Sequence, residues 1–103
     1  MTEPKFDELV HAPTRLSIVS LLAAAEWADF KFLRDTVGTS DSALSKQLTT
    51  LEDAGYVEIH KHFVGKRPRT SARLTDAGRA AFDGHVAALQ EIVARAGATV
   101  LPR

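Results

Sequence analysis

Two clusters in this chain combine residue types and spacing suited to a polyanionic partner. Between residues 41 and 54, Leu44, Leu48 and Leu51 recur at intervals of four and three. Ser42, Ser45, Lys46 and Thr49 fall on the opposite side of the same helical turns, with Gln47 on the flank. Short hydrogen-bonding side chains and one cation let a helix sink into a major groove, where the donors and acceptors on base edges distinguish all four base pairs. The second cluster is Lys66-Arg67-Pro68-Arg69. Consecutive cations on a stiff turn repel one another, and phosphates would relieve that repulsion through backbone contacts or entry into a minor groove. An ordinary solvated helix face and a solvated charged loop are the plain alternatives. The turn before the helix and the basic hairpin after it weigh against the first alternative, and the position of the loop, where a wing would sit, weighs against the second.

Other chemistry is poorly represented. There is no cysteine, which removes disulfides, thiolate metal sites and cysteine nucleophiles, and fits a reducing cytoplasm. His60 and His62 share one face of an expected strand, but no carboxylate cluster accompanies them. His11 and His85 stand isolated in the sequence. All four read as surface side chains, and neither a metal site nor any cofactor is expected. No nucleophile with its base, paired-carboxylate site or glycine-rich phosphate loop occurs, so the chain is read as not an enzyme.

The elements that must position the two clusters follow from hydrophobic spacing. Phe6, Leu9 and Val10 suggest a short first helix, closed by the restriction that Pro13 places on the residue before it. Pro13 can open a second helix over about 13–25, with Ile18, Leu21, Leu22 and Ala25 as its buried stripe. Trp27-Ala28-Asp29 interrupts the pattern and allows a very short strand. Phe30, Leu33 and Val37 make a helix over 30–37 that Gly38 stops. Ser40 caps the next helix, over 41–54, with Asp41 in its first turn and Gly55 beyond its end. Residues 56–64 read as a strand, 65–69 as a turn and 70–74 as the returning strand. Thr75 caps a last helix that runs to about Arg95, with Gly97 ending it and Pro102 in a short tail. Its stripe of Phe82, Val86, Leu89 and Val93 is longer than a three-helix core can cover. It is therefore expected to form a dimer interface, joined by Phe6, Leu9 and Val10. The fold class is mainly α with a small β-hairpin: a helix-turn-helix with a wing and a long C-terminal dimerisation helix.

Length and charge set the bounds. The 103 residues make one domain, with a core over 13–75 and the C-terminal helix over 75–96. Nothing before Asp7 resembles a secretory signal, and the longest apolar run, Leu21–Ala25, cannot span a bilayer, so no membrane is expected. Thirteen basic and thirteen acidic residues cancel, unlike many nucleic-acid-binding domains. The distribution matters more than the sum, because residues 60–73 hold Lys61, Lys66, Arg67, Arg69 and Arg73 and no acid.

Three runs then carry a family resemblance. Ser42-Ala43-Leu44-Ser45-Lys46-Gln47-Leu48, Leu51-Glu52-Asp53-Ala54-Gly55-Tyr56-Val57 and Leu74-Thr75-Asp76-Ala77-Gly78-Arg79 together resemble winged-helix regulators of the MarR and ArsR kind, above all a compact MarR-like group. His11-Ala12-Pro13-Thr14-Arg15-Leu16-Ser17-Ile18 is similar to the same group, and the likeness spans about residues 9–90. It implies a cytoplasmic homodimer on a palindromic stretch of double-stranded DNA, usually repressing. Ser42, Ser45, Lys46 and Thr49 would enter the major groove, and the 66–69 wing would lie on the backbone or minor groove. Asp83-Gly84-His85 resembles half of a metal pair in some ArsR-type sensors, but Ala96 and Thr99 stand where the other half would be. The chain lacks the extra length that houses the ligand pocket of many MarR proteins, and no small-molecule effector is indicated. Trp27, Phe30 and Phe32 are the residues that could line a pocket, and they read as core. The rival reading is a winged-helix protein–protein adaptor that binds no DNA.

Overall fold

Local capping chemistry sets most element boundaries. The computed structural model describes residues 2–99. Asp7 accepts a hydrogen bond from the Val10 amide and caps α1 (Glu8–His11). Pro13 opens α2 (Pro13–Ala23), where its missing N–H has no helical partner to lose. After β1 (Ala28–Asp29), the Asp29 carboxylate accepts from the Lys31 amide and starts α3 (Phe30–Val37). Gly38 ends α3 in the left-handed region at φ 77°, which favours glycine. The Ser40 hydroxyl accepts from the Ala43 amide and starts α4 (Asp41–Asp53). Two strands follow, β2 (Val57–Val64) and β3 (Arg67–Leu74), and then the long α5 (Asp76–Thr99). Thr75 Oγ1 accepts from the Gly78 amide at the start of α5.

The three strands form an antiparallel sheet in the order β1-β3-β2. Ile18, Val19 and Leu22 of α2, Leu33 of α3 and Leu44, Leu48 and Leu51 of α4 close over Ala28, Val57 and Ala72 of the sheet. Val19 belongs to this core although the expected stripe on α2 omitted it.

Four expectations need correction. The hairpin is not a five-residue turn between a long and a short strand. Val64 pairs with Arg67, so only Gly65 and Lys66 lie between strands of eight residues each. Gly65 has φ 65° and, among the described residues, no non-glycine has positive φ, which is the pattern of a type II′ hairpin turn. Pro68 is tolerated within β3 because β1 pairs only with Ser71 and Ala72, leaving one edge of β3 open further out. Second, α5 runs through Gly97 to Thr99, since an open glycine weakens a helix without ending it; Pro102 lies outside the described residues. Third, Trp27 and Phe32 are 40% and 50% exposed, so of the three aromatics only Phe30 packs against the core. Fourth, α2 ends at Ala23 rather than about residue 25.

Candidate nucleic-acid interface

The leucine face of α4 is fully committed to the core, which fixes where its other side chains point. Ser45 and Thr49 open into a cleft of about 640 Å³ whose far wall is Ile59, Lys61 and Thr70 of the hairpin, with Phe30 at its end. Asp41 and Glu52 also line it. Asp41 is held by Arg34 at 2.7 Å, and Arg34 bonds Asp35 as well. Ser42 and Lys46 are exposed on the outer side of the same helix. A second hollow, of about 350 Å³, lies between Asp29-Phe30-Lys31 and residues 67–70. Phe30 and Thr70 line both hollows, so the two adjoin one another beside β3.

Strand register assigns the wing side chains to two rows. Directly opposed residues share a face of the sheet. Lys61 opposes Thr70 and Phe63 opposes Pro68, on the same side as buried Val57 and Ala72 and hence on the side of α4. His62 opposes Arg69 and Val64 opposes Arg67, on the other side. Lys61 is therefore the hairpin cation that faces the α4 cleft, a role that alternation along β2 could have revealed. Arg67 and Arg69 line the second hollow, where Arg69 is paired with Asp29 at 3.2 Å. Lys66 sits exposed in the two-residue turn.

One residue of the expected recognition set lies elsewhere. The side-chain oxygen of Gln47 accepts from Arg15 of α2 at 2.8 Å, and the same guanidinium donates to the Leu9 carbonyl at 2.6 Å. Gln47 thus ties α4 to the N-terminal helices and is not presented for base contact.

The histidines also depart from expectation. His85 has no accessible surface. Its Nδ1 accepts the Asp7 amide at 3.0 Å and its Nε2 lies 3.1 Å from His11 Nδ1, with the Phe6 ring against both imidazoles. Burial, and then the neighbouring His11, hold the pKa of His85 below its ordinary value. Burial pushes the Asp7 carboxyl up, but the Tyr56 hydroxyl at 2.6 Å and the Val10 and Leu9 amides outweigh it and leave its pKa lowered. The same bond to Asp7, with burial, raises the Tyr56 phenol. His60 and His62 are stacked at 5.0 Å between ring centres on the outer face of the hairpin, next to Trp27. Among the described residues no group of three or more His, Cys, Asp or Glu is arranged to hold a metal ion.

The residues expected at a subunit interface divide. Val10 is fully buried within its own chain and cannot reach a partner. Leu9 and Phe82 pack against the chain's own core. Val86 lines a shallow hollow beneath Pro4, and Leu89 is half-buried. Phe6 is 40% exposed and Val93 68%, beside an exposed Ile92.

A helix-turn-helix packed on a three-stranded sheet, with one concave face between α4 and the hairpin, defines a winged-helix DNA-binding domain. The model of that family, described as "Winged helix DNA-binding domain", matches residues 14–93, and the chain belongs to it. The uncharacterized protein MJ0432 of Methanocaldococcus jannaschii is 29% identical over 79 residues, covering 77% of this chain and 86% of that protein. The transcriptional regulator homologue from Pyrococcus horikoshii superposes with a TM-score of 0.81 at 23% identity, over 91% of each chain. A MarR-family regulator from Silicibacter pomeroyi superposes with a TM-score of 0.67 at 22% identity, over 91% of this chain and 62% of its own. The fold is the MarR-like one. Among the described residues no helix is long and apolar enough to cross a membrane.

Proposed function

We propose that this chain is a transcriptional regulator that binds double-stranded DNA as a homodimer on a two-fold symmetric site, acting chiefly as a repressor. The observation that carries the reading is the shared concavity. Ser45 and Thr49 face the same open cleft as Lys61 and Thr70, and that cleft adjoins the hollow lined by Arg67 and Arg69. A duplex laid on this face would place α4 in a major groove, with Ser42, Ser45, Lys46 and Thr49 toward base edges and the hairpin across the adjoining backbone. The dimer is supported by the outer half of α5, where Ile92 and Val93 are exposed beyond the last buried residue of the helix, Ala88. Two α4 helices would then enter successive major grooves about 34 Å apart.

The test is a gel shift of the chain against the DNA upstream of its own gene, at low and high salt, with sedimentation of free protein and complex. Two chains per site, with affinity falling steeply as salt rises, is the expected result. Salt-independent binding or no binding would favour the adaptor reading instead.

A further inference from the structure

Phe63 is 72% exposed, the highest value among the exposed large hydrophobic side chains described, and it sits two residues from the hairpin turn. It opposes Pro68, also exposed, so the two form a small apolar edge. This edge lies on the row of the sheet that carries Lys61 and Thr70 and faces the α4 cleft. Lys61 shares its row and Lys66 lies in the adjoining turn, while Arg67 and Arg69 project from the opposite face of the same hairpin. A ring so placed adds nothing to the core. An apolar partner protein would have to strip water from Lys61 and Lys66 to reach it. Duplex DNA satisfies both parts of the surface at once, with phosphates for the cations and base faces for the ring.

We infer that Phe63, with Pro68 opposite it, is an apolar wedge. It enters the minor groove beside the major groove occupied by α4 and partly unstacks one base step there. Apolar wedges of this kind kink a duplex and do best at flexible pyrimidine–purine steps. The wing would thereby select sequence through deformability at a step that no hydrogen bond reads. This inference rests on the DNA-binding reading proposed above.

The experiment uses the full chain. Footprinting of its upstream DNA locates the protected site, and duplexes of that site carry 2-aminopurine at successive positions or a donor–acceptor pair at the ends. The wild-type chain should raise 2-aminopurine fluorescence at one step under the wing and shorten the end-to-end distance. Phe63→Ala should abolish both signals and weaken binding about tenfold, the scale of one base–aromatic stack. Phe63→Leu should keep most of each, and thermal melting of all three proteins should coincide. If the wild type protects DNA and Phe63→Ala binds and bends it equally, the wedge is wrong and DNA binding stands. A Phe63→Ala variant changed only in self-association would overturn the wedge in favour of a second copy on this edge. If the wild type protects no DNA, the DNA-binding reading fails, and the wedge with it.

Discussion

His85 Nε2 lies 3.1 Å from His11 Nδ1 in a side chain with no solvent-accessible surface. Because the Asp7 amide donates to His85 Nδ1, the proton of the neutral ring sits on Nε2 and is directed at His11. A second proton on His85 would face the Asp7 N–H and lose that bond. The folded state therefore binds this proton less readily than the unfolded chain does, and stability falls as pH drops below about 6.5, the ordinary histidine value. Urea midpoints measured from pH 7.5 to 5 should decline in the wild type and stay flatter in His85→Leu. The lowered Asp7 carboxyl adds a separate loss, setting in only as pH falls toward and below 3.8. Equal slopes for wild type and His85→Leu between pH 7.5 and 5 would contradict the assignment.

Gly78 and Gly97 share α5 but should respond oppositely to alanine. A Cβ at Gly78 would overlap the backbone carbonyl of Tyr56, which cannot swing aside as a side chain could. Gly78→Ala should cost at least about 1–3 kcal/mol. At Gly97 nothing lies within 4 Å, and Gly97→Ala should be neutral or stabilising by up to about 1 kcal/mol. Thermal melting of the two variants distinguishes them.

Adjacent positions on α4 should separate stability from specificity. Gln47→Ala removes the acceptor of the Arg15 guanidinium and should cost about 1 kcal/mol of folding stability, with base preference unchanged. Ser45→Ala and Lys46→Ala leave the core intact and should alter which sequence is preferred, by about 1–3 kcal/mol for each base edge no longer read. Selection from a randomised duplex pool, read beside denaturation curves, checks both.

Asp29 competes for a wing cation. Its carboxylate holds Arg69 at 3.2 Å and also caps α3. Asp29→Asn keeps an N-cap oxygen and frees the guanidinium. Binding should tighten at low salt, while Arg67→Ala and Arg69→Ala each weaken it on every sequence and lower the salt slope by about 1. Titrations at several salt concentrations measure the slope directly.

What was legible in the sequence is what local chemistry dictates. Ser40, Gly38 and Asp41 mark the turn and the start of α4 within a few residues of one another, and α3 falls on 30–37 as its spacing requires. The hairpin length was not legible, because whether Pro68 can lie in a strand depends on how far β1 reaches along the other edge. The burial of His85 depends on partners 74 and 78 positions away, and the engagement of Gln47 on one 32 positions away. No periodicity within α5 or α4 reports those neighbours. The polar flank of α4 was legible as a surface, but its division between cleft, outer side and α2 required the packed domain.

The sheet ends in a bare rim. Among the described residues β2 has one neighbouring strand, and beyond Ser71 so does β3, leaving edge amides and carbonyls that another hairpin could zip onto. Proline at 68 withholds a donor from that rim, and Lys66, Arg67 and Arg69 charge it. The cations that would grip phosphate would therefore also disfavour edge-to-edge stacking of free molecules, a colloidal safeguard before any duplex is met.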